Sequence, residues 1–127
     1  MKTLNGIPIE PNSNIHFVFV YGTLRKGQGN NSLLSNSKFI DEVVTEENLS
    51  LFVSGLPYMI KREGGRGVIG ELYAVNEETL SALDRLEGHP TFYKRERIKL
   101  RDGVDEVWAY IFQGQNSTAT EYVVSYP

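Results

Sequence analysis

Val18-Phe19-Val20-Tyr21-Gly22-Thr23-Leu24-Arg25-Lys26-Gly27-Gln28-Gly29 is the stretch on which the fold turns. Its first part completes an apolar run that begins at Ile15 and is rich in Phe and Val, the composition of a strand covered on both faces. Gly22 breaks that strand, and Thr23 to Gly29 forms a loop with turn-forming glycines. Asn30 or Asn31 can then cap a short helix carrying Leu33 and Leu34. Backbone N–H groups just past a strand end have no ladder partner and can converge on an anion, and a glycine lets the anion approach closely. The same residues also read as a tight turn with no ligand. Gly22 and Gly27 have the glycine spacing of a phosphate loop, but Gln28 and Gly29 stand where that motif needs lysine and a hydroxyl residue. This loop carries no GxGxxG triplet either, so neither nucleotide motif applies to it.

Working outward, residues 39–45, 49–53 and 68–75 read as strands, with a turn at 54–57 and a flexible break at Gly64-Gly65-Arg66-Gly67. Asn76 is a helix cap, Glu77 and Glu78 suit the first turn, and Leu80, Leu83 and Leu86 form an apolar stripe. Gly88 stops the helix and Pro90 prevents its return. Residues 93–100 and 106–112 form a strand pair around Asp102-Gly103. In the second, Trp108, Tyr110 and Phe112 share one face and Val107, Ala109 and Ile111 the other, which predicts a central strand. The sum is an α+β class with one domain over residues 15–127, preceded by a polar arm at residues 1–14.

Glu87 breaks a local rule. It ends the helix, where the dipole disfavours a carboxylate and favours its protonated form. That suits a general acid/base, although a solvated Glu paired with Arg85 or Lys94 fits the same position. His89 beside it is a weaker candidate for proton transfer. Tyr58, Tyr93, Tyr122 and Tyr126 can line a pocket, each with an apolar body and a polar tip.

Composition closes several routes. The 127 residues contain no cysteine, which excludes disulfides, thiolate nucleophiles and zinc-thiolate sites. A formal charge of −3 argues against a nucleic-acid reader. Arg95, Arg97, Lys99 and Arg101 on one strand face read instead as solvated charges that protect a sheet edge. Two histidines, His16 and His89, lack metal-ligand spacing, so no metal is expected. Neither a signal-type apolar segment nor a membrane-length run is found, and a cytoplasmic location is expected. The three Asn-x-Ser/Thr matches at Asn30, Asn48 and Asn116 then read as chance.

Val18 to Asn31 resembles the first signature of the γ-glutamylcyclotransferase-like family, and Gly70 to Arg95, GELYAVNEETLSALDRLEGHPTFYKR, resembles the second. Order and spacing reinforce each other, and the likeness runs from Phe17 to Phe112. The Leu-Glu-Gly-His-Pro-x-x-Tyr pattern is most similar to the γ-glutamylamine cyclotransferase, AIG2-like branch. The resemblance implies a small mixed β-barrel with short flanking helices. It implies a γ-glutamyl small-molecule substrate, bound by Tyr21, Gly22, Thr23 and Leu24 with Tyr58, Tyr93 and Tyr126, and a catalytic Glu87. It implies release of 5-oxoproline and a free amine without a cofactor, in a monomer or weak dimer. A longer N-terminal arm and Gly55-Leu56-Pro57-Tyr58 in place of the usual Tyr-Pro are departures from the pattern. Two other readings stay open: a non-catalytic module of the same fold binding a carboxylate metabolite or a protein, and an acyl or aminoacyl transferase using Glu87.

Overall fold

The structure, a computed structural model, describes residues 2–4, 7–9, 14–54, 56–62, 64–114 and 122–123. Two short strands, β1 (Lys2–Leu4) and β2 (Ile7–Ile9), pair antiparallel with Lys2 opposite Ile9. This hairpin lies in the segment read as an arm. Strands of three residues are too short to display a period of two, so the sequence carries no signal for them.

Strand β3 (Ile15–Val20) leads into the glycine loop and a 3-10 turn at Asn31–Leu34. Strands β4 (Lys38–Val44), β5 (Leu49–Ser54) and β6 (Leu56–Lys61) precede β7 (Ile69–Asn76). Helix α1 (Glu77–Glu87) comes next, then β8 (Tyr93–Ile98), β9 (Val107–Phe112) and β10 (Tyr122–Val123). The sequence reading did not contain β6, because Pro57 falls inside it. Proline is tolerated there because β6 is an edge strand of its sheet.

The main sheet has the order β4-β7-β3-β9-β8, and a smaller one the order β10-β5-β6. Within the main sheet β3 runs antiparallel to β7 and parallel to β9, with Val18 opposite Trp108. The mixed sheets and flanking helix match the expected α+β class. Among the described residues the two sheets are open rather than closed into a barrel, a minor departure within the expected mixed-sheet fold.

Alternation along β3 explains the layers. Phe17, Phe19 and Tyr21 point into one core with Leu49, Leu51 and Met59 of the smaller sheet. Val18 and Val20 point the other way, into a second core with Leu34 and with Leu80 and Leu83 of α1. Both faces of β3 are therefore dry, which is why its sequence is apolar without a polar alternate. Strand β9 does the same, Val107, Ala109 and Ile111 facing the first core and Tyr110 the second, as a strand flanked by β3 and β8 must. Strand β8 is the sheet edge. Its Arg95 and Arg97 lie over the Trp108 ring of β9, at 4.5 Å and 3.9 Å from the centroid, so they cover the sheet face rather than stand free in solvent.

Candidate active site

Helix α1 is positioned by ordinary local chemistry. Asn76 Oδ1 accepts the Thr79 N–H at 2.8 Å, and Leu80 and Leu83 are buried against the main sheet. Each such leucine contributes about 1.5–3 kcal/mol. Gly88 adopts φ 64°, a left-handed conformation that costs glycine nothing. Its N–H donates to Arg85 O, and the His89 N–H donates to Asp84 O at 3.0 Å, closing the helix at Glu87. The Thr91 and Phe92 N–H groups then donate to Gly88 O, turning the chain back so that Phe92 and Tyr93 stand beside Glu87.

The stripe expected at Leu80, Leu83 and Leu86 stops short. Leu86 is 42% exposed, because the face that continues past Leu83 opens onto a cavity rather than onto the sheet. This cavity holds about 300 Å³. The end of β3 and the loop supply Phe19, Val20, Tyr21, Gly22, Thr23 and Leu24 to its wall. The end of α1 supplies Arg85, Leu86, Glu87 and Gly88. Leu56 and Pro57 come from the start of β6, Phe92 and Tyr93 from the start of β8, and Asn30 and Tyr110 complete it.

Among the described residues nothing accepts a hydrogen bond from the amides of Gly22, Thr23 or Leu24, so these donors are available to a ligand. Gly22 has no room for a side chain. A Cβ there would meet Pro57 Cγ at 2.5 Å, so glycine permits the loop to pack against the β6 wall. Behind the loop sits Glu71, 6% exposed. Its Oε1 accepts the Lys26 N–H at 2.9 Å and the Tyr73 hydroxyl at 3.0 Å, and Oε2 lies 3.7 Å from Arg25 Nε. Asn31 Nδ2 donates to Leu24 O at 2.8 Å, and Asn30 Nδ2 to Thr23 Oγ1 at 2.9 Å rather than capping the short helix. The loop is thus held from both ends.

Glu87 is the charged centre of the cavity. Burial pushes its carboxyl up to about 7 from an ordinary 4.5. Desolvation, rather than the helix end, is what raises it. Burial likewise raises Tyr21, with Tyr93 and Glu87 adding to the effect, and raises Tyr93, with Glu87 second. These hydroxyls are already committed. Tyr21 donates to Tyr110 O at 2.8 Å, Tyr93 to Pro57 O at 2.8 Å and Tyr110 to Asp84 Oδ1 at 2.7 Å. His89 Nδ1 accepts the Arg95 N–H at 2.9 Å, which fixes the ring as part of the turn. Among the described residues no cluster of three or more His, Asp or Glu side chains is placed to hold a metal ion.

Of the residues singled out from the sequence, the structure brings Tyr21, Gly22, Thr23, Leu24, Tyr93 and Glu87 around one cavity. Tyr58 stands one ring behind: it stacks on Tyr93 at 6.2 Å and 10°, and on Phe52 at 5.2 Å, without lining the cavity. Tyr126 lies outside the described residues. Sequence reasoning missed Glu71, Arg85 and Phe92. Glu71 has no local signal, since the backbone N–H it holds is that of Lys26, far away in the chain. Arg85 looks like a routine last-turn cation.

The family model described as gamma-glutamyl cyclotransferase, AIG2-like, matches residues 18–126. A Methanocaldococcus jannaschii protein with the name "Putative gamma-glutamylcyclotransferase" is 41% identical over 102 residues, 77% of this chain and 85% of its own. A Danio rerio protein named gamma-glutamylaminecyclotransferase C is 38% identical over 94 residues, 67% of this chain and 62% of its own. The crystal structure of an AIG2-like protein from Mus musculus superposes with a TM-score of 0.82 at 26% identity, covering 91% of this chain and 90% of that one. This chain belongs to the gamma-glutamyl cyclotransferase, AIG2-like family, and is an enzyme of the γ-glutamylcyclotransferase class. Among the described residues no helix is long and apolar enough to cross a membrane.

Proposed function

We propose that the chain cyclises γ-glutamyl amides, with γ-glutamyl amines as its substrate class, and that Glu87 moves the protons. The observation that supports this most is the meeting of one half-buried, high-pKa carboxyl with a row of unpaired loop amides in a single cavity. In this reading the Gly22 to Leu24 amides hold the substrate's α-carboxylate or the oxyanion that develops on the γ-carbonyl oxygen. The substrate bends so that its α-nitrogen faces its own γ-carbonyl carbon. Ring closure is unimolecular, so holding that conformer supplies much of the acceleration.

Ionised Glu87 takes one proton from the α-ammonium and frees the lone pair. The α-nitrogen bonds to the γ-carbonyl carbon, and the carbonyl electrons move to oxygen. The attacking nitrogen loses a second proton, the C–N bond to the leaving amine breaks, and both protons end on that amine. The products are 5-oxoproline, with its carboxylate intact, and an ammonium. A carboxyl near 7 is present in both forms at neutral pH, as a group that first accepts and then donates must be. Release of 5-oxoproline from a panel of γ-glutamyl amides, by the wild-type protein and by Glu87→Gln, tests the proposal. No release from any γ-glutamyl amide by a folded wild-type protein overturns it.

A further inference from the structure

Exposed apolar side chains gather at this cavity. Large apolar side chains exposed at the surface among the described residues are Ile15, Leu33, Leu56, Leu86 and Phe92. Three of these, Leu56, Leu86 and Phe92, line this one cavity, at 49%, 42% and 47% exposure. Three exposed apolar side chains gathered around one cavity are the form of a ligand site rather than of stray surface residues.

With them is Arg85. It is exposed, it lines the cavity, and it is the sole cation among the lining residues. Among the described residues its guanidinium has no hydrogen bond or ion pair. The nearest candidates are engaged elsewhere: Asp84 accepts from the Tyr110 hydroxyl at 2.7 Å and faces Arg95 Nε at 3.4 Å. Glu87, the ionisable carboxyl on the wall, is half-buried, and desolvation raises its pKa.

We infer that Arg85, Leu56, Leu86 and Phe92 form a leaving-group subsite selecting amines whose hydrocarbon stem ends in a carboxylate. This inference rests on the reading that the inner cavity takes the γ-glutamyl part. With the γ-glutamyl head held by the loop amides beside Glu87, the leaving amine is directed outward along these exposed side chains. A stem of several methylenes covers Leu56, Leu86 and Phe92, and a terminal carboxylate meets the Arg85 guanidinium. A terminal ammonium meets a like charge there and is disfavoured. The pair stays exposed to water, so the discrimination is a few-fold and falls with added salt.

Three γ-glutamyl amides of matched stem test this: those of 4-aminobutanoate, butylamine and 1,4-diaminobutane. Dissociation constants of the intact amides are measured by calorimetry on Glu87→Gln, in which turnover is about 10²–10⁴ slower, and kcat and KM on the wild type. The expected order of affinity is carboxylate, then neutral, then ammonium, with about a three- to fivefold step between the first two at low salt. The order appears in KM rather than kcat. Adding Arg85→Gln brings the three affinities together, and Arg85→Glu reverses their order. Equal affinities in the Arg85-containing protein overturn the subsite, as does an Arg85→Gln variant that weakens all three amides by one common factor. The latter would assign Arg85 to the γ-glutamyl α-carboxylate. Ordered binding with no 5-oxoproline from the wild type would leave the subsite standing and remove the cyclisation reading instead.

Discussion

Replacing Glu87 by Gln keeps the shape of the protonated carboxyl and removes its charge, and the burial of that carboxyl sets both the sign and the scale of the effect. The carboxyl titrates at about 7 in the fold against 4.5 in the ordinary case. Below pH 4.5 it is protonated whether the chain is folded or not, and contributes nothing to the pH dependence. Between 4.5 and 7 the unfolded chain ionises while the folded one holds its proton, so stability falls as pH rises. Above 7 the loss is complete, and it amounts to at most about 3 kcal/mol at 1.36 kcal/mol per tenfold change in proton affinity. Removing a charge that opposes the helix dipole adds about 0.3–1 kcal/mol in the same direction. Glu87→Gln is therefore as stable as the wild type at pH 4.5 and melts on the order of ten degrees higher at pH 8. Over the same range the wild-type kcat/KM rises about tenfold from pH 6 to its plateau, because only about a tenth of the carboxyl is ionised at pH 6. In the variant kcat falls by about 10²–10⁴ while affinity for the intact substrate stays close to that of the wild type. Thermal melts at both pH values and a kcat/KM profile check this. A melting difference that is the same at pH 4.5 and pH 8 would refute the buried-carboxyl argument, and full activity in the folded variant would refute the proton shuttle.

The loop and its anchors respond to substitution in ways the same geometry determines. Gly22→Val places a Cβ where Pro57 Cγ lies 2.5 Å away, so it costs about 1–3 kcal/mol and abolishes anion binding at the loop, read by denaturant melts and by ligand titration. Glu71→Ala leaves the part-buried Lys26 N–H and the buried Tyr73 hydroxyl without their acceptor, costs about 1–3 kcal/mol, and raises KM because the loop loses its anchor; hydrogen exchange at Lys26 reports it directly. Removing residues 1–13 lowers stability by less than about 2 kcal/mol, since the described strands there pair with one another; a larger loss would mean that the segment packs into the core.

What could be read from the chain and what could not divides by range. Strands β3 and β9 were legible because burial on both faces leaves an apolar run with no polar alternate. Helix α1 was legible to the residue, since Asn76 and Gly88 mark its ends by local chemistry. Glu87 was legible as a violation of the dipole rule, but its cause was not: burial by Tyr93 and its neighbours depends on a chain reversal after Gly88. Leu86 continued the apolar spacing and yet faces the cavity, because spacing gives the face of a helix and not how far its cover extends. Strand β6 was hidden by Pro57, whose tolerance depends on an edge position that only the sheet order reveals. Glu71 gave no signal, because Lys26 and Arg25 reach it from a loop far earlier in the chain, and only Tyr73, two residues on in the same strand, is a local partner.

The tyrosine hydroxyls around the cavity have a consequence for how such a protein changes. The Tyr93 hydroxyl reaches from the main sheet to Pro57 O on β6, and the Met59 N–H of β6 reaches back to the Tyr21 hydroxyl at 3.4 Å. The cavity therefore lies along a seam between two sheets, and its width is a gauge of their separation. That separation is set by Met59, Leu51 and Phe19, all fully buried. Core substitutions far from any substrate, each harmless to folding, will widen or narrow the slot by fractions of an ångström. Substrate preference is thereby open to drift through the interior, with every residue of the chemistry left untouched.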